Sequence, residues 1–236
     1  MPDPGDPLDP STTIFFLCDI QTRFRNAIHA YDQVIITANK LVKLAKLVGC
    51  EVVATTQNAR ALGPIDPQID TSILGPLFIG SYDKTRFSMI THDIQAVLEA
   101  RPHIKSVVLF GIESHVCVLQ TTLSLLALSR VRSQPITPYL PLDGISSCNS
   151  FEIGVAIARM REAGATITTS ESLAFELMRD AGLPNFKEFS KFIKEEKERT
   201  KTAGERLILG QGTPEVLDQS EIAGGGILLD DTKPSL

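Results

Sequence analysis

The chain has 236 residues, 43% hydrophobic and 22% charged, enough for one substantial core and too few for two large ones. A net charge of −5 without any dense Lys/Arg block lacks the electrostatic footprint that a polyphosphate backbone demands, so nucleic acid is not an expected partner. No apolar run is long enough to span a membrane, and the acidic, Pro-rich "MPDPGDPLDP" fits neither a signal peptide nor an Arg-rich transit peptide.

The expected setting is therefore cytoplasmic. The terminal "PSL" shares only its last two letters with a peroxisomal address, which leaves peroxisomal and mitochondrial destinations open. Cys18, Cys50, Cys117 and Cys148 are far apart and form no CxxC pair, so reduced thiols are expected rather than a disulfide framework or a zinc knuckle.

After a leader over 1–11, "TTIFFLCD" is a β-branched and aromatic run that reads as a strand buried on both faces and ending at Asp19. In "DQVIITANKLVKLAKLVG", Val34, Ile35, Ala38, Leu41, Val42, Ala45 and Val48 line one helical face, with Gly49 as the stop. A second strand, "CEVVATTQ", follows. The alternation continues with helix "THDIQAVLEA", strand "KSVVLFG", helix "HVCVLQTTLSLLALS", helix "SFEIGVAIARMREAG", strand "ATITTS" and helix "ESLAFELMRDAG". Strands alternating with helices across short turns predict right-handed βαβ crossovers: an α/β, doubly wound (Rossmann-like), mostly parallel sheet with helices on both faces. No GxGxxG stands at any strand-to-helix turn, so a dinucleotide site has no support, and no cofactor is expected. From about Glu195 the composition turns charged and then Gly-rich, which predicts a flexible or partner-packing tail over 198–236 and a homo-oligomer.

In an open parallel sheet the reactive crevice lies beyond the C-terminal strand ends. Asp19 closes the first strand, Lys84 follows "LFIGSYD", and Cys117 opens the helix after "SVVLFG". Singly, each has an ordinary reading: a strand-end cap, a solvated lysine, and a small packed hydrophobe. Together they meet the needs of a nucleophilic thiolate. A helix N-terminus and a nearby ammonium favour the thiolate, and a carboxylate can accept its proton.

"FFLCDIQTRFR", "YDKTRFSM", "VVLFGIESHVCVLQTTL", "ITTSES" and "FKEFSKFIKEEK", in this order, resemble the isochorismatase-like cysteine hydrolases over residues 12–197, and most closely the eukaryotic isochorismatase domain-containing proteins. The resemblance implies a six-stranded parallel sheet and a triad of Asp19 as general base, Lys84 as the orienting and polarising cation, and Cys117 as the thioester-forming nucleophile. It also implies a cis peptide between Ile112 and Glu113, aiming the backbone N–H groups of Glu113 and Cys117 at one point as an oxyanion hole.

Two departures qualify this. Nicotinamidases of the family carry a metal-binding Asp-x-His motif where this chain reads "TTQNARALG". His29, His92, His103 and His115 show no metal spacing, so no metal is expected. Isochorismatases proper cleave a vinyl ether and lack the cysteine, so the thiol here points to an acyl carbon. The second departure is "SRVRSQPITPYLPLDGISS", where Pro135, Pro138 and Pro141 interrupt an expected strand. Val131 to Pro141 reads either as an edge or subunit-contact loop or as a splicing artefact.

The sequence thus predicts a cofactor-independent cysteine hydrolase acting on C–N bonds other than peptide bonds, with a small-molecule amide, ureido or related acyl substrate. Phe24, Gln57 and Tyr82 are its pocket-lining candidates. The alternative is a catalytically silent or redox-sensing scaffold that keeps the fold.

Overall fold

A computed structural model describes residues 8–210. Strand β1 (Thr13–Cys18) is buried at all six positions, as a run of aromatic and β-branched residues without polar alternation requires. It lies at the centre of the sheet. Strands β2 (Glu51–Gln57), β3 (Phe78–Lys84), β4 (Ser106–Ile112), β5 (Thr137–Pro141), β6 (Ile145–Ser146) and β7 (Thr166–Thr168) complete it. The order is β3-β2-β1-β4-β5-β7 with β6 also on β4, and every ladder between these strands is parallel.

Two helical layers cover the sheet. Phe15 and Leu17 of β1 face helices α1 (Tyr31–Val48), α6 (Ser170–Met178) and α7 (Phe186–Leu207), packing with Leu41, Leu177 and Phe189. Ile14, Phe16 and Cys18 face the other way, toward α3 (His92–Glu99), α4 (Leu119–Ser129) and α5 (Ser150–Ala163), packing with Ile94, Leu125 and Met160. A single turn, α2 (Ala59–Leu62), lies between β2 and β3. Each fully buried Phe or Leu side chain contributes on the order of 1.5–3 kcal/mol of transfer free energy. Helix α1 stops where predicted, because Gly49 takes the left-handed conformation (φ 76) and its N–H caps Ala45 and Lys46 carbonyls.

The doubly wound parallel sheet agrees with the sequence reading, but it has seven strands rather than six. The extra strand comes from the Pro-rich stretch. β5 pairs with β4 only from Thr137 to Tyr139 and with β7 only from Tyr139 to Pro141. Pro138 therefore precedes the β7 ladder and Pro141 follows the β4 ladder, so neither missing N–H breaks a pairing. The turn Leu142–Gly144 then offsets the chain, and β6 resumes pairing with Gly111 and Ile112 of β4.

The tail boundary at 198 also needs correction. Helix α7 runs through Leu207, with Ala203 and Leu207 buried and the Thr200 hydroxyl hydrogen-bonded by the Lys40 ammonium at 2.8 Å. The charged composition there is the solvated face of an amphipathic helix whose other face packs on α1. The rest of the expected tail, from 211 on, and residues 1–7 of the leader lie outside the described residues. Within the leader, Leu8 is buried in the core.

Candidate active site

Because all strands run the same way, the C-terminal ends of β1, β2, β3 and β4 share one edge. Lys84 ends β3 two strands away from Asp19, and its side chain crosses the end of β2 to reach it. The Lys84 ammonium is 2.6 Å from Asp19 Oδ2 and 2.8 Å from Gln57 Oε1, and it also donates to the carbonyls of Arg86 and Phe87 at 3.1 Å. Asp19 and Lys84 are each 1% exposed. Such a pair pays a desolvation penalty comparable to its attraction, so it is a costly ornament for stability alone.

Asp19 follows β1 in the left-handed conformation (φ 54), a strained backbone for a residue other than glycine. This turns its carboxylate back over the strand end, where Thr55 donates to Oδ1 at 2.8 Å and Cys18 donates to Oδ2 at 3.6 Å. Burial pushes the Cys18 thiol well up, the neighbouring Cys117 thiol and Asp19 carboxylate add to this, and Lys84 opposes it. Cys18 is thus a protonated donor to Asp19, and Cys117 packs in the same core layer. Of the three sequence-derived residues, Asp19 and Lys84 are in direct contact, and Cys117 shares a core layer with Cys18, the donor to Asp19.

Cys117 is 4% exposed and stands in a π-helical turn, Ser114–Val118, that runs directly into α4. Wide turns of this kind recur at functional sites. The Val118 N–H reaches back five residues to the Glu113 carbonyl (3.2 Å), and Val116 donates to the same oxygen (2.9 Å). Thr121 donates to the Cys117 carbonyl at 2.6 Å and accepts from the Met89 N–H at 2.9 Å, tying the Cys117 turn to the loop after Lys84.

The cis peptide expected between Ile112 and Glu113 is not found. The described residues contain no cis peptide bond, and the reversal is made by Glu113 itself, at φ 60 and ψ 61. A left-handed residue supplies the sharp turn from strand to helix with a trans bond.

Of the pocket candidates, Gln57 is committed at both ends, accepting from Lys84 and donating to the Thr85 carbonyl at 2.8 Å, so it positions the lysine. Phe24 and Tyr82 are half-buried, Phe24 against the α1 layer and Tyr82 against the α3 layer. Sequence reasoning missed Cys18, Thr55 and Gln21. Gln21 donates to Gly63 and Gln57 carbonyls and accepts from the Gln57 N–H, fixing the ends of β1 and β2 together. Only the polar "CDIQ" interruption after an apolar strand hints at this.

One further group comes together on the turn that carries Cys117. Glu113, His115 and Cys148 bring a carboxylate oxygen, a ring nitrogen and a sulfur within 4.8 Å of one another. No spacing along the chain signals it, because β6 delivers Cys148 from 31 residues beyond Cys117.

No helix among the described residues is long and apolar enough to cross a membrane. Comparison with known proteins places the geometry in context. Residues 13–172 match the model of the isochorismatase domain. The chain is 39% identical to human isochorismatase domain-containing protein 2 over 186 residues, which covers 79% of this chain and 85% of that protein. Among solved structures it resembles MAR1 ribonuclease from Caenorhabditis elegans, with TM-score 0.72, 31% identity, and coverage of 80% of this chain and 92% of that one. It shares the fold of the YcaC gene product of Escherichia coli, described as an octameric hydrolase of unknown specificity, with TM-score 0.65, 20% identity, and coverage of 88% and 94%. With the domain model matched over most of its sheet and a curated relative at this identity, the chain belongs to the isochorismatase domain family.

Proposed function

We propose that this protein is a cofactor-independent cysteine hydrolase that cleaves a small amide, ureido or related acyl compound through a thioester on Cys117. The observation that carries this reading is the fully buried Asp19–Lys84 pair at the strand edge where the Cys117 turn begins. Cys117 Sγ attacks the acyl carbon, and the thiol proton passes to the Asp19 carboxylate. The backbone N–H groups of Glu113 and Cys117 are the proposed oxyanion hole, with the left-handed Glu113 rather than a cis bond setting the turn between them. Asp19 returns the proton to the departing amine, then takes one from the water that opens the thioester, releasing the acid and the free thiol. Lys84, held by Gln57 and two carbonyls, keeps Asp19 placed and charged-partnered throughout.

A net charge of −5 disfavours a phosphodiester substrate, so the activity named for the nematode neighbour is not carried over. Self-association is part of the proposal. Phe151 and Val155, one turn apart on α5, are 72% and 65% exposed, and the fold-level neighbour from Escherichia coli is octameric.

The test is a panel of small primary amides and ureides incubated with the full chain, following ammonia and carboxylate release and trapping the acyl-enzyme by acid quench and mass spectrometry. Release is expected to vanish in Cys117→Ser and Asp19→Asn and to survive strong chelators, since "TTQNARALG" lacks the metal motif. No turnover and no adduct across the panel, or cleavage of RNA instead, would replace this reading, the former with a silent or redox-sensing scaffold.

A further inference from the structure

We propose that Glu113, His115 and Cys148 form a binding site for a zinc-like divalent cation, outside the reaction itself and anchored to the turn that carries Cys117. For tetrahedral zinc, bond lengths of roughly 2.1 Å to oxygen and nitrogen and 2.3 Å to sulfur put ligand atoms about 3.4 Å apart for an O/N pair and about 3.6 Å apart for an O/S pair. Glu113 Oε2 lies 3.4 Å from His115 Nδ1 and 3.6 Å from Cys148 Sγ. The same carboxylate oxygen serves both edges, and the remaining N/S pair lies within 4.8 Å. A mixed O/N/S set selects zinc or a similar borderline metal over magnesium and calcium, which take oxygen.

The site is also held and reachable. Ser147, which is buried, donates to Glu113 Oε2 at 3.2 Å and shares a 2.6 Å hydrogen bond with His115 Nδ1. When the cation binds, His115 Nδ1 exchanges that bond for the metal, with its ring proton on Nε2. The Cys148 proton goes to solvent, and Ser147 keeps Glu113 in place, as outer-shell partners of metal ligands do. Cys148 is exposed, which opens an entry path and leaves a fourth coordination position to water. The ligands come from both sides of the β4–β6 ladder, two from the turn after Ile112 and one shortly after Ser146. A bound cation would therefore staple the strand ends next to the nucleophile.

The proposal does not rest on the hydrolase reading, and its test reads binding rather than turnover. Full-length protein stripped of metal is titrated with Zn²⁺ against a chromogenic chelator, and separately with Co²⁺ to observe the thiolate-to-metal charge-transfer band. One equivalent should bind in wild type and in Cys117→Ser. Cys148→Ser and His115→Gln should each weaken it at least tenfold, and Cys148→Ser should abolish the band. Cys148 is on the surface, so its replacement leaves the core intact, which circular dichroism checks. Absence of stoichiometric binding, unchanged binding in Cys148→Ser and His115→Gln, or loss of binding in Cys117→Ser overturns the proposal.

Discussion

The Lys84 ammonium lies 2.6 Å from the Asp19 carboxylate, and neither side chain is more than 1% exposed. Removing one member leaves the other charge buried without its partner, which typically costs ~3–5 kcal/mol. Lys84→Met is therefore expected to lower stability by about that much. Asp19→Asn combined with Lys84→Met should recover a large part of the loss, because no lone charge remains. Turnover should be absent in both. Urea denaturation with an activity assay checks this, and a Lys84→Met variant as stable as wild type would remove the basis for a dedicated buried pair.

Gly111 offers a second test, because it fits β4 against the end of β1 where no side chain fits. A Cβ there would lie 2.1 Å from the Cys18 carbonyl oxygen and 2.8 Å from Cys18 Cβ, with φ 143. Neither neighbour can swing away, one being backbone and the other anchored in the core. Gly111→Ala should cost ~1–3 kcal/mol as overpacking does. It should also reduce turnover well below the transition temperature by displacing Cys18 and Asp19. A variant with wild-type melting and rate would show that the β1 end tolerates displacement.

Much of this site was legible in the chain because its parts sit at strand ends, and strand ends follow from hydrophobic runs. "TIFFLC" and "SVVLFGI" are continuous apolar segments, so Asp19 and the Cys117 turn fall at their termini without three-dimensional information. Illegible were the contacts that cross the sheet. Gln57 beside Lys84, Thr55 beside Asp19, and Cys148 beside Glu113 depend on strand order and register, and a strand order of β3-β2-β1-β4 is not written in any local pattern. The prolines of β5 misled for a related reason. Whether a missing N–H matters depends on which neighbour pairs at that residue.

That strand makes a prediction by itself. The Ile136 N–H donates to Ser129 Oγ and the Thr137 N–H to the Lys105 carbonyl, both at 2.8 Å. Both amides should exchange slowly despite the flanking prolines, at rates like those of β4. Rapid exchange at these two amides would mean that the segment from Pro135 to Leu140 is not a packed strand.

Cys50 links burial to pH. The thiol is 1% exposed, and burial together with Asp9 pushes its pKa up from 9.0 to about 12. The folded-state value is raised, so the associated stability is fully present below pH 9 and is lost as pH rises toward 12, where only the unfolded chain ionises. The slope is ~1.4 kcal/mol per pH unit in that window. Wild type should therefore lose its advantage over Cys50→Ala as pH climbs from about 8 to about 10, by roughly 1 kcal/mol. Urea unfolding of both proteins at the two pH values measures the difference, and a constant gap would mean that the thiol is not sequestered.

The four cysteines should differ sharply toward an alkylating agent, and the order tests the whole reading of the site. Cys18 and Cys50 are buried, and burial raises both thiols. Cys148 is exposed, yet partial burial and the Glu113 carboxylate raise it as well. Cys117 is buried as well, at 4%, but it alone stands in the turn leading into α4, at the strand edge that holds the buried carboxylate–ammonium pair. A nucleophile placed there should label first at neutral pH, with Cys148 slower and Cys18 and Cys50 silent until unfolding. Iodoacetamide labelling against time, read by peptide mass spectrometry for each cysteine, gives the order in wild type. In Lys84→Ala the Cys117 rate should fall several-fold while Cys148 stays unchanged, because the charge acting on Cys148 is the Glu113 carboxylate. In Asp19→Asn turnover should fall further than labelling does, since alkylation needs a thiolate but hydrolysis also needs a base that returns the proton. If Cys148 outpaces Cys117 in the folded protein and neither rate responds to Lys84, the three residues are neighbours without a shared chemistry.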